Sequence, residues 1–97
     1  MRFEVVILTS AYNDLENAIG YYEDKLKGLG KRMESEFWKT LDSVQNRPLA
    51  NRKRYKLFRQ AILKKFPYGI VYEVLNEKII IYRVPHLKMK PKKRYKI

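Results

Sequence analysis

Three side chains of types that move protons or hold phosphate stand out in this sequence: Arg59, His86 and Tyr95. His86 is the single histidine, and its ordinary pKa makes it the side chain readiest for proton transfer near neutrality. It follows Pro85 at the end of an apolar run, where functional groups emerge from a sheet. Leu57, Arg59 and Ala61 alternate onto one face of an extended segment, so Arg59 projects from a small or apolar row. There it would hold a scissile phosphate or stabilise developing negative charge. The alternatives are an ion pair with Glu73 or Glu4, or a solvated surface arginine. Tyr95 lies beside Lys93 and Arg94, which would lower its pKa toward a basic role; it would otherwise stack on a base or anchor the segment.

Around these candidates lies a field of cations. Residues 1–50 carry 7 basic and 8 acidic side chains, whereas residues 51–97 carry 15 basic and 2 acidic. The whole net charge of +12 therefore comes from the second half, which suits a polyanionic partner, nucleic acid or an acidic protein. Arg52, Lys53 and Arg54 form one cluster, and Lys88, Lys90, Lys92, Lys93 and Arg94 a second, with Arg83 between them. All nine are candidate RNA-phosphate contacts. Without metal, RNA cleavage needs a base for the 2′-hydroxyl and an acid for the leaving oxygen. A lysine among adjacent cations such as Lys53 would serve as base if they lowered its pKa; the alternative is a loop that only touches phosphate. No cysteine is present, and one histidine among scattered carboxylates offers no ligand spacing, so neither metal nor cofactor is implied.

The elements that position these groups follow from periodicity. Phe3, Val5 and Ile7 alternate with their neighbours, predicting a strand over 1–8. Thr9 and Ser10 then offer an N-cap. Tyr12, Leu15, Ala18, Ile19, Tyr22 and Leu26 recur at helical steps, Gly28 and Gly30 break the run, and Met33, Phe37, Leu41 and Val44 stripe a second helix. Pro48 ends it by Arg47, giving a helical hairpin over 10–47. Residues 55–85 then read as three strands, Tyr55 to Leu63, Ile70 to Leu75 and Lys78 to Val84, joined by turns at 66–69 and 76–77. A basic tail, 86–97, follows. The expectation is one α+β domain over 1–97: strand, helix, helix and three strands, an antiparallel sheet with the helical hairpin on one face. The segment Arg2 to Leu8 has no h-region of a signal peptide and no apolar run approaches a membrane span, so a soluble cytoplasmic protein is expected.

Local sequences add a resemblance. Ala11-Tyr12-Asn13-Asp14-Leu15 with Ile19 and Tyr21-Tyr22 resembles the first helix of RelE/ParE-type toxins. Phe58-Arg59 followed by Lys65-Phe66-Pro67-Tyr68-Gly69-Ile70-Val71-Tyr72-Glu73-Val74 is similar to their central hairpin. Ile79-Ile80-Ile81-Tyr82-Arg83-Val84-Pro85-His86 resembles their last strand, and Pro91-Lys92-Lys93-Arg94-Tyr95 their basic C-terminal segment. The resemblance implies the toxin of a type II toxin–antitoxin system, with a cognate antitoxin that wraps it. It also implies roles for Arg59, at the family's strand-arginine position, for the basic residues before it, and for His86 and Tyr95. After His86 this chain has Leu87 where many RelE-like members carry a basic residue, with Lys88 and Lys90 close behind. RelE-like members cut mRNA on the ribosome; ParE-like members poison DNA gyrase without a catalytic site. The basic second half favours a ribosome-dependent mRNA endonuclease, with ribosome and mRNA as partners, over gyrase inhibition or plain RNA binding.

Overall fold

The computed structural model describes residues 3–88. Its elements run β1 (Glu4–Ile7), α1 (Thr9–Lys25), α2 (Leu29–Asn46), β2 (Lys53–Tyr55), β3 (Phe58–Ile62), β4 (Gly69–Leu75) and β5 (Lys78–Arg83). They form a five-stranded sheet of order β1-β5-β4-β3-β2 with the two helices on one face. The predicted meander is present: β3 with β4, and β4 with β5, pair antiparallel. β1 joins the far side of β5 in parallel, Val5 opposite Ile79 and Ile7 opposite Ile81, so the sheet is mixed. The helical hairpin is what makes that direction possible, because it returns the chain across the sheet before the meander begins.

The core lies between sheet and helices. Ala11, Leu15 and Ala18 of α1 and Met33, Phe37, Leu41 and Val44 of α2 are buried against Ala61, Ile70, Tyr72, Ile79 and Ile81. The helical stripes thus point where their spacing predicts, except at the rim, where Tyr12 and Leu26 are exposed. The hairpin's turn is held by an acid. Gly28 adopts a positive φ of 91°, and the Glu23 carboxylate accepts the amide hydrogens of Gly28 and Gly30 at 3.0–3.1 Å. Those are orphan donors at the start of α2, so the cap comes from the preceding helix.

Three local expectations are corrected. The run from Tyr55 to Leu63 is broken: Lys56 takes φ 52° and turns the chain, so β2 and β3 form a short hairpin of their own. The expected N-cap is absent; Leu8 occupies that position with no side-chain bond, and Ser10 Oγ donates to the Tyr82 carbonyl at 2.8 Å. The β4–β5 turn forms without glycine because Asn76 accepts φ 57°, a conformation its short polar side chain tolerates.

Candidate functional site

Alternation divides the sheet's residues between two faces. Arg59, Ala61, Tyr72, Val74, Ile79, Ile81 and Arg83 lie on the helix-covered side. Glu4, Val6, Phe58, Gln60, Glu73, Ile80 and Tyr82 lie on the open side.

Arg59 therefore turns toward the helices' side, where its Nη1 donates to the Asn51 carbonyl at 2.7 Å. Beside it the Tyr72 hydroxyl donates to the Pro48 carbonyl at 2.8 Å and accepts from Asn51 Nδ2 at 3.2 Å. Arginine and tyrosine together fasten the connection from α2 to β2. Neither carboxylate anticipated as an Arg59 partner is on its face, since Glu4 and Glu73 point the other way.

Arg83 is held by a carboxylate distant in sequence that no spacing singles out. Asp14 of α1 takes it in a two-pronged ion pair, Nε to Oδ2 at 2.7 Å and Nη2 to Oδ1 at 2.9 Å, and Oδ2 also accepts the Val84 amide hydrogen at 3.0 Å. This geometry clamps the first helix to the last strand. His86 bridges Tyr68 in the backbone, packs its ring edge-on to that tyrosine at 4.9 Å, and accepts the Lys88 amide hydrogen at Nδ1.

Of the three candidates, Arg59 and His86 fall within the described residues, and these two do not converge. Arg59 stands opposite Tyr72 on one side of β4, and His86 opposite Tyr68 on the other. Those anchors, Tyr68 just before β4 and Tyr72 within it, are four residues apart, about 13 Å along the strand direction, and the two flanking positions are about 10 Å apart across it. The remaining cations are exposed: Arg52 before β2, Lys53 and Arg54 within it at the sheet's edge, and Lys88 after β5. Tyr95, Lys90, Lys92, Lys93 and Arg94 lie outside the described residues. No group of histidine, cysteine or acidic side chains among the described residues is arranged to hold a metal ion. Nor is any helix long and apolar enough to cross a membrane.

A groove of about 390 Å³ between β1 and α2 is lined by Val5, Ile7, Trp38, Leu41, Asp42 and Gln45. With one carboxylate and no second acid or base, it holds no general acid–base pair.

Four tyrosines are raised above the ordinary value near 10. Burial is the main cause at each. For Tyr22 the Tyr21 hydroxyl adds to it, and for Tyr68 the neighbouring Tyr22, Tyr21 and Asp14 do. At Tyr72 the Asn51 hydrogen bond and Arg59 charge oppose the rise; at Tyr82 the hydrogen bond to Glu73 and its charge reinforce it. Folded pKa values above the unfolded ones mean the folded state holds these protons longer. The stabilisation is complete below pH 10 and is lost as pH climbs through the raised values. Urea midpoints measured from pH 8 to 11.5 are expected to fall above pH 10, and Tyr72→Phe to reduce that fall.

Residues 5–91 match the family model described as the ParE toxin of the type II toxin–antitoxin system parDE. The chain belongs to the ParE toxin family. Among solved structures, the fold is similar to that of the chromosomal ParDE toxin–antitoxin system from P. aeruginosa. That match has a TM-score of 0.79 and 14% identity, and covers 89% of this chain and 97% of the other. It is also similar to the toxin–antitoxin complex RelBE2 from Mycobacterium tuberculosis, with a TM-score of 0.62, 16% identity, and coverage of 89% and 99%. At such identities the likenesses speak for the fold. No curated protein matches the chain. The α+β architecture and the RelE/ParE resemblance read from the sequence both stand.

Proposed function

We propose that this ParE-family chain is the toxin of a type II toxin–antitoxin pair and acts in the cytoplasm by inhibiting DNA gyrase through protein contact, without a catalytic site of its own. The observation that carries this reading is the employment of the described catalytic candidates, Arg59 and His86, and of the phosphate-contact candidate Arg83. Arg59 fastens a loop, Arg83 is clamped by Asp14, and His86 sits strands away from Arg59 against Tyr68. An mRNA endonuclease needs a base, an acid and a charge stabiliser within reach of one phosphate. The basic asymmetry that favoured cleavage also fits a toxin working beside DNA and held by an acidic antitoxin. A cognate antitoxin would cover the open sheet face, where Val6, Ile80, Phe58 and Tyr82 are only partly buried.

Two assays on the purified chain test the reading. Gyrase supercoiling is expected to be inhibited, with His86→Ala within about twofold of wild type because it removes only a peripheral contact. Primer extension in a purified translation system is expected to show intact mRNA. Ribosome-dependent cuts that fade in Arg59→Ala and Tyr95→Phe would overturn the proposal in favour of the endonuclease.

A further inference from the structure

The basic half of the chain contains two acids, and they are placed very differently. Glu77 is exposed in the β4–β5 turn, whereas Glu73 is half-buried at the centre of the open sheet face. The ladder sets Glu73 opposite Ile80 on one side and, one step beyond the Arg59–Tyr72 pair, beside Phe58 on the other. Tyr82 donates its hydroxyl hydrogen to Glu73 Oε1 at 3.0 Å, and the Phe58 and Tyr82 rings meet edge-on at 4.9 Å and 72°. No cation pairs with Glu73 among the described residues, although the chain's net charge is +12. Within β1, β3, β4 and β5 the other charges on this face are Glu4 and Lys78, which neighbour each other at the β1 edge.

We infer that Glu73, framed by Phe58 and Tyr82, is a receptor for one arginine or lysine side chain of the cognate antitoxin. A carboxylate has about four acceptor positions, and Tyr82 fills one. Glu73 is half-buried, so in the free protein the others are open to water. A partner that covers this face strips that water, and a buried carboxylate left unpaired costs several kcal/mol. Whatever covers Glu73 must therefore bring a donor, and a cation meets both the carboxylate and the negative faces of the two rings. A second copy of this chain is the poorer occupant, because two molecules of net charge +12 repel. The antitoxin is the better one: an acidic segment is drawn to the cationic half, and a cation within it finds its partner at Glu73. That pairing fixes the register in which the segment lies.

The inference rests on the toxin–antitoxin reading and is independent of the gyrase target. Calorimetric titration with the cognate antitoxin is the test, using wild type, Glu73→Gln and, as a control, Glu77→Gln. Glu73→Gln is expected to weaken binding about 30-fold or more, and Glu77→Gln to remain within about twofold. Replacing each antitoxin arginine and lysine in turn by methionine should reveal one whose effect couples to Glu73 by tenfold or more. If Glu73→Gln fails to match the wild-type melt, Phe58→Leu takes its place, with an expected loss of about threefold. Unchanged affinity in Glu73→Gln, or the absence of any coupled cation, would overturn the inference. So would a variant that changes self-association in sedimentation while antitoxin binding stays the same. Failure of the antitoxin to bind wild type would instead bring down the toxin–antitoxin reading itself.

Discussion

Gly30→Val is expected to destabilise the protein by about 3 kcal/mol, the upper range for overpacking a close contact. Gly30 is buried in the first turn of α2, against α1. A Cβ built there lies 2.7 Å from the Ile19 carbonyl oxygen and 3.0 Å from Glu23 Cβ. The first of these is backbone in the middle of α1 and cannot swing aside, so the helices must separate. The same displacement pulls Glu23 from the Gly28 and Gly30 amides that it caps. At this chain length about 3 kcal/mol corresponds to a melting temperature lower by roughly 12 °C or more. Gly20, on the same hairpin, supplies the contrast, since a Cβ there meets nothing within 4 Å. Gly20→Ala should gain about 0.5–1 kcal/mol from helix propensity. Thermal unfolding followed by circular dichroism checks both, and a wild-type melt for Gly30→Val would refute the close-packing argument.

These glycines also mark a boundary in what a sequence displays. Gly28 and Gly30 announce a break between helices, but nothing local says that Glu23 will cap it or that Ile19 will crowd it. The periodic parts were legible for a physical reason: Met33, Phe37, Leu41 and Val44 must share a face whatever they pack against. The alternation of β4 and β5 and the turn between them were legible in the same way. What escaped depended on pairing across the chain or on one unusual torsion. β1 was visible as a strand, but its parallel alignment with β5 depends on where the helical hairpin returns the chain. The β2–β3 hairpin turns on Lys56 at a positive φ, which no residue-type signal marks. For the candidate site, the residue types stood out and their employment did not. Arg59 was placed on the correct small-residue row beside Ala61, but that row faces the helices' side and a carbonyl waits there. Asp14 sits 69 positions before its partner Arg83. Glu73 first read as a possible anchor for Arg59, until the alternation of β3 and β4 set the two on opposite faces.

Asp14→Asn is expected to cost about 2 kcal/mol, and it separates a structural Arg83 from a phosphate-binding one. Breaking a fully buried ion pair costs about 3–5 kcal/mol because the surviving charge is left without a partner. Here the side chains retain 32% and 18% of their exposure, so water can screen the stranded guanidinium and the expected loss is smaller. Asparagine keeps an oxygen for the Val84 amide but has no charge and one fewer acceptor for the two-pronged contact. Arg83→Gln should be destabilising too, and the double variant should lose less than the sum of the two, since each single change already breaks the same contact. Toxicity then discriminates. If Arg83 serves only to clamp α1 to β5, both single variants lose activity in proportion to their lost folded fraction and recover it together under stabilising conditions. If Arg83 acts on a phosphate, Asp14→Asn releases it to do so, whereas Arg83→Gln stays inactive however well it folds. The arrangement around Asp14 supports the first outcome, because a guanidinium committed at both Nε and Nη2 has its recognition fork occupied by the protein itself.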